Sequence, residues 1–389
     1  MSNRAEGATE LRKDGEEIQP LLTPYQLGPF HLSHRIVMAP LTRARSYNYV
    51  PQPHAAIYYG QRATPGGLII TEGTSPHPTG IGFPNEPGIW TQEQRDAWKP
   101  IVKAVHDKGG IFICQLGHVG RYSHYEYQPN GAAPISSTNK PITGGHIMLP
   151  SGEMVDFPPP RALTTEEVEA FVQDFRLAAR NAINAGFDGI ELHAALGMYF
   201  DQFLKDSVND RTDKYGGSFE NRCRHLIETI QAVGEEIGQE RVAVKISPFS
   251  DVFSASDSDP LNLGLHLVKS LNNFNLLYVH CLAPHHSRTK PKTPEETTTS
   301  PLTPLREAYK GSFLVAGGYN QEDGNQAISS GNADAVVYGQ LFLANPDLPK
   351  RFELHSALNK PNHATYYTPD PVVGYTDYPF LEDAHGIQV

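Results

Sequence analysis

The octapeptide HAALGMYF, His193 to Phe200, puts an imidazole at the end of a short apolar run, GFDGIEL. A histidine at the mouth of a buried strand can donate a hydrogen bond or move a proton. Leu196 and Met198 beside it can do neither. Other residues able to do chemistry also fall at the ends of apolar runs: Thr42, Gln115, Lys245, and the pairs Gly317-Gly318 and Gly339-Gln340. The amide of Gln115 can donate to and accept from one heterocycle edge at once. Thr42 can donate to another ring atom, and Lys245 supplies a cation. The glycines allow backbone N–H groups to approach a phosphate. The conjunction points to a flat polar ligand that carries a phosphate.

Two other chemistries fit fewer of these residues. His118, His193 and His280 fall on three successive runs, but no cysteine or carboxylate completes a metal set at ligand-like spacing. No metal is therefore expected. Lys245 could form a Schiff base, but an apolar-flanked lysine with a displaced pKa is uncommon.

The elements that must position these residues are legible as eight apolar runs. They are RIVMAP (35–40), GGLIITEG (66–73), GIFICQLG (110–117), FDGIELHAA (187–195), RVAVKISPF (241–249), LLYVHCLA (276–283), GSFLVAGG (311–318) and ADAVVYGQ (333–340). Near-continuous apolarity is expected of strands buried on both faces. Helical patterns lie at 91–109, 164–186, 219–238, 259–274 and 321–331, several opened by Thr or acidic residues and closed by glycine. Alternation on this scale predicts an α/β fold, a (β/α)8 TIM barrel, with chemistry at the strand ends. An open doubly wound sheet would usually offer GxGxxG after its first strand, and none occurs. Residues 119–163 break the pattern, and HIMLPSGEMVDF within them predicts a hairpin in a lid-like insertion after strand three. Residues 284–303 read as a long polar loop after strand six.

The composition narrows the function. The chain has 389 residues and a formal net charge of -11, which argues against a nucleic-acid partner. No apolar run is long enough to span a membrane. Residues 1–20 are polar and mixed in charge, and we expect a disordered tail there, a barrel over 21–380, and a C-terminal tail over 381–389. Cys114, Cys223 and Cys281 have no paired spacing, which suggests a reducing, cytoplasmic setting.

Five stretches are more specific: MAPLTR (38–43), NDRTDKYGGSFENR (209–222), EDGN (322–325), FLANPDLPKRF (342–352) and YTPDPVVGYTDYPF (367–380). From Leu21 to Phe380 the chain resembles the Old Yellow Enzyme family, and particularly its plant 12-oxophytodienoate reductases. The resemblance implies FMN in a TIM barrel, NADPH as reductant, and reduction of the C=C bond of α,β-unsaturated carbonyls of the oxylipin type, as in fatty acid and jasmonate metabolism. It implies that Pro40, Leu41 and Thr42 contact the flavin, that Gly73 and Gln115 lie at its pyrimidine side, and that Lys245 stands near the ring. It places Gly318, Gly339 and Gln340 at the phosphate, and His193, Leu196, His285 and Tyr367 at the substrate.

The departures fall on working positions. The family motif H-x-x-[HN]-x-Y supplies two donors to the substrate carbonyl and a tyrosine that protonates the α-carbon. Here the second donor is Leu196 and the tyrosine is Met198. Removing one such donor costs roughly 10²–10³ in rate, and removing the acid roughly 10²–10⁴ unless water substitutes. Lys245 and Gln340 stand where the family has arginines. Gly117 replaces a tryptophan, Phe83 a tyrosine, and Arg288 is a candidate to replace the arginine that aligns near His285. Tyr199 should point elsewhere, and Tyr122, Tyr125 and Tyr127 read as surface aromatics. Two functions follow: a weakened or re-specialised ene-reductase with solvent as proton source, or a barrel without catalysis that binds flavin poorly.

Overall fold

The structure, a computed structural model, describes residues 19–284 and 301–382. Most of each expected tail, and His285 and Arg288, lie outside the described residues. Eight parallel strands close into one barrel. They are β1 (Ile36–Met38), β2 (Leu68–Ile70), β3 (Ile111–Leu116), β4 (Gly189–Ala194), β5 (Val242–Ile246), β6 (Tyr278–Leu282), β7 (Phe313–Ala316) and β8 (Ala335–Tyr338). Each lies inside one of the eight apolar runs. They pair in chain order, and β8 returns to β1 through Val336↔Ile36 and Val337↔Val37.

The strands look uniformly apolar because two cores share them. Side chains alternate across a strand. One set, including Cys114, Ile190, Leu192, Val244 and Val279, packs outward with helix residues such as Phe175 and Leu226. The other, including Val37, Ile70, Ile113, Ala243, Tyr278 and Leu314, fills the interior. Burying one such aliphatic side chain contributes about 1.5–3 kcal/mol.

The surrounding helices include α1 (His54–Arg62), α2 (Gln92–His106), α3 (Thr165–Ala185), α4 (Tyr199–Leu204), α5 (Phe219–Ile237), α6 (Pro260–Leu271), α7 (Thr303–Ala308), α8 (Gln321–Ser329) and α9 (Gln340–Ala344). Thr91 and Thr164 each close a capping box at the start of α2 and α3. Gly186 ends α3 at φ 103°, a left-handed conformation that glycine adopts without strain.

Within 119–163 the expected hairpin is present, Ile147–Met148 pairing antiparallel with Met154–Val155. A second hairpin, Tyr25–Leu27 with Phe30–Leu32, lies before the barrel, and its Leu27 and Leu32 join the interior core. Among the described residues no helix is long and apolar enough to cross a membrane.

Candidate active site

The same alternation that fills the barrel turns polar near its C-terminal end. Gln115 follows Ile111 and Ile113 on β3, Lys245 follows Ala243 on β5, and His280 follows Tyr278 on β6. All three therefore face inward, with Glu191 and His193 of β4. Register sets Glu191 beside Gln115, and Lys245 beside both His193 and His280.

Glu191 organises this layer. Its Oε1 accepts from Nε2 of Gln115 at 2.7 Å, and its Oε2 lies 3.0 Å from Nδ1 of His280. Burial pushes the Glu191 carboxyl up, but His280, Lys245 and Gln115 more than offset it and hold the group below its ordinary range. A carboxylate only accepts, so it turns the amide N–H of Gln115 toward itself. The Gln115 carbonyl then lies 3.6 Å from where a Cβ on Gly73 would start. Burial lowers the pKa of Lys245, with Glu191 opposing.

His193 is half-buried, and its Nδ1 is buried without a hydrogen-bond partner among the described residues. Burial, then Lys245 and His280, hold its pKa well below the usual value, so the ring is neutral. A Cβ on Gly117 would lie 3.6 Å from Cδ2 of His193 and 3.7 Å from Cα of Gly73. Strands two, three and four therefore bring Gly73, Gln115, Gly117 and His193 together.

Pro40, Leu41 and Thr42 are half-buried after β1. Leu41 Cδ2 lies 3.5 Å from the Cβ position of Gly339, so the ends of β1 and β8 meet. Gly317 and Gly318, at φ 135° and 87°, are exposed after β7, and among the described residues nothing lies within 4 Å of the Gly318 Cβ position. Gln340 opens the five-residue α9. It makes no side-chain hydrogen bond among the described residues.

The turn after β4 is held by its backbone. The Leu196 N–H donates to Ser247 Oγ at 2.7 Å, and the Gly197 N–H to Asp201 Oδ2 at 2.8 Å. Leu196 sits at φ 56°, a conformation that favours Gly, Asn, Asp or His over leucine. Met198 is the N-cap residue of α4 and 7% exposed. Tyr199 is fully buried and leaves the site, its hydroxyl 3.1 Å from His225 Nε2.

Tyr367 stacks on Phe83 with ring centroids 6.3 Å apart, and Phe83 stacks on Tyr122 at 5.0 Å. The loop after β1 holds the segment that bears Tyr367. Arg43 donates to the carbonyls of Tyr366 and Gly374, and Arg45 to those of Thr365, Asp370 and Val373. Glu72 accepts from the Arg43 N–H at 3.0 Å, and burial lifts its carboxyl to about 7. The tyrosines of the insertion divide. Tyr125 is 40% exposed, but Tyr127 is buried with its hydroxyl donating to the Met148 carbonyl, and Tyr122 is half-buried. Two of the three are thus not surface aromatics. Glu191 was missed in the sequence. Stepping back two residues from His193 along a strand would have found it on the same face.

Residues 20–359 match the model of the NADH:flavin oxidoreductase / NADH oxidase family, and the chain belongs to that family. It is 56% identical over 362 residues to putative 12-oxophytodienoate reductase 11 of Oryza sativa subsp. japonica, covering 93% of this chain and 98% of that one. It is 54% identical over 373 residues to 12-oxophytodienoate reductase 2 of Arabidopsis thaliana, covering 96% and 98%. Among solved structures it is similar to morphinone reductase, with TM-score 0.88 and 41% identity over 94% of this chain and 97% of that one. It is also similar to the Old Yellow Enzyme homologue from Zymomonas mobilis, with TM-score 0.86 and 38% identity over 93% and 99%.

Proposed function

We propose that the protein is an FMN-dependent reductase that uses NADPH to saturate the C=C bond of α,β-unsaturated carbonyls of the oxylipin type. The observation that carries this reading is the inward layer of Gln115, Lys245 and His193 at one end of the barrel, in a chain of the flavin oxidoreductase family. The residues fit the group. Gln115, fixed by Glu191, and Gly73 would meet a pyrimidine edge, and Pro40, Leu41, Thr42 and Lys245 the rest of the ring. Gly318 and Gly339 would leave room for a phosphate, with Gln340 as a neutral contact. Bound flavin supplies hydride transfer from the nicotinamide to the enone β-carbon.

This chain's own part is binding and polarisation. Neutral His193 donates to the carbonyl oxygen and stabilises the negative charge that develops there. Leu196 adds no second donor, and Met198 adds no proton. With no side chain at Gly117, the site would admit a broader enone beside His193, and the 119–163 insertion would cover it. Three free, buried cysteines accord with a reducing compartment such as the cytosol.

A second reading, a barrel with weak flavin binding and no turnover, is favoured by Gln340 and by Leu196. Titrating the apoprotein with FMN and following quenching of flavin fluorescence tests the choice. Saturable 1:1 binding that survives desalting supports the reductase. Flavin lost on desalting supports the inert barrel.

A further inference from the structure

Met198 occupies the place of an acid, and Tyr199 is held by His225. Another phenol stands near the same turn. Tyr122, in the loop after β3, packs its ring between Phe83 at 5.0 Å and Phe253 at 4.3 Å, with Phe157 at 5.1 Å. Phe83 carries Tyr367 on another side. Phe253 in turn backs onto the 196–198 turn, its Cβ 3.3 Å from where a Cβ on Gly197 would start. The Tyr122 ring is thus one aromatic ring away from the turn that bears Leu196 and Met198.

The neighbouring backbone is fixed. Arg121 donates through Nη2 to the carbonyls of Phe253 and Ser254, both at 3.0 Å. Its N–H donates to Gln202 Oε1 at 3.0 Å, and Gln202 Nε2 donates to the Gly197 carbonyl at 2.8 Å. Loops three, four and five are therefore tied at this residue. Of the other phenols nearby, Tyr199 is engaged with His225 and Tyr127 with the Met148 carbonyl, whereas Tyr367 is 51% exposed. The Tyr122 hydroxyl has no hydrogen-bond partner among the described residues.

We propose that Tyr122 is the proton donor to the substrate α-carbon, in place of the acid missing at Met198 and instead of water. The assignment rests on the ene-reductase reading above. The step balances. The β-carbon receives hydride with its electron pair, and the π pair moves toward the α-carbon and carbonyl oxygen. The Tyr122 O–H bond breaks, its proton forms the α C–H bond, and the phenolate takes a proton from water. Burial, with smaller contributions from Tyr367 and Glu86, raises the Tyr122 pKa to about 12. The proton therefore stays on oxygen at neutral pH until a strong carbon base is present.

Two measurements on FMN-loaded protein test this. The first is anaerobic oxidation of the NADPH-reduced protein by 2-cyclohexenone. The second needs no hydride: deuterium exchange into the α-position of cyclohexanone in D2O, followed by NMR. Tyr122→Phe keeps the ring and should melt with the wild type, because its hydroxyl has no partner among the described residues. It is expected to slow both reactions at least tenfold while NADPH reduces the flavin at an unchanged rate. Adding Met198→Tyr to that variant should recover the exchange. If the wild type reduces the enone and Tyr122→Phe matches it in both reactions, or if only Tyr367→Phe loses exchange, the assignment is overturned. A wild type that takes electrons from NADPH but neither reduces nor exchanges overturns the reductase reading and the assignment with it.

Discussion

Tyr199 Oη lies 3.1 Å from Nε2 of His225, in the layer between the barrel and α3 and α5, where Phe171, Phe175 and Phe203 also meet its ring. The tyrosine next to Met198 therefore serves packing. Tyr199→Phe should cost about 1 kcal/mol, the scale of one buried hydrogen bond. Denaturant unfolding should show this loss while enone reduction stays unchanged. A variant of wild-type stability with lost turnover would return Tyr199 to the chemistry.

Restoring the donors should restore rate. Leu196→His with Met198→Tyr is expected to raise enone reduction at least tenfold, since the added oxyanion donor alone contributes more than that. Histidine is also better suited than leucine to the φ of 56° at residue 196. No increase in a flavin-loaded double variant would mean that these two positions do not limit turnover.

In the proposed site Gln340 would offer the phosphate a neutral contact. Gln340→Arg supplies a charged bidentate fork, a difference on the order of 1–3 kcal/mol. The FMN dissociation constant should fall roughly 5- to 150-fold by fluorescence titration, and the gain should shrink at high salt. An unchanged, salt-insensitive affinity would place the phosphate elsewhere.

His193 gives a pH test with a definite sign. Its native pKa lies well below 6.5 because of burial, then Lys245 and His280. The native ring stays neutral as pH falls from 8 through 6.5, so cyclohexanone affinity should be flat over that window. The unfolded chain takes up a proton near pH 6.5. His193 therefore lowers stability as pH falls below that value, at most about 1.4 kcal/mol per pH unit. His193→Gln should gain stability relative to the wild type on acidification. A relative loss would mean that the native ring is charged.

The barrel was legible because each strand is buried on both faces, which leaves a short unbroken apolar run that little else produces. Helices α2 and α3 were legible from Thr91, Thr164 and Gly186. Helix α1 was not. Its N-cap position is Pro53, without a side-chain cap, and its stability comes from contacts distant in sequence, such as Tyr58 stacked on Tyr375 at 4.1 Å. The site divides in the same way. His193, Gln115 and Lys245 stand at strand ends and could be read there. Glu191 was hidden inside the apolar run GIEL. The burial of Tyr127 depends on the fold of the insertion, where Ile142, Ile147 and Phe157 gather around it.

The central claim is that this barrel passes electrons to an enone with His193 as its single carbonyl donor. The most direct measurement is stopped-flow absorbance of the FMN-loaded, NADPH-reduced protein mixed anaerobically with 2-cyclohexenone, with product identified by NMR. We expect the oxidised flavin spectrum to return with one cyclohexanone formed per flavin, and to do so at least tenfold more slowly in His193→Ala. A flavin that stays reduced in the presence of saturating enone would contradict the account.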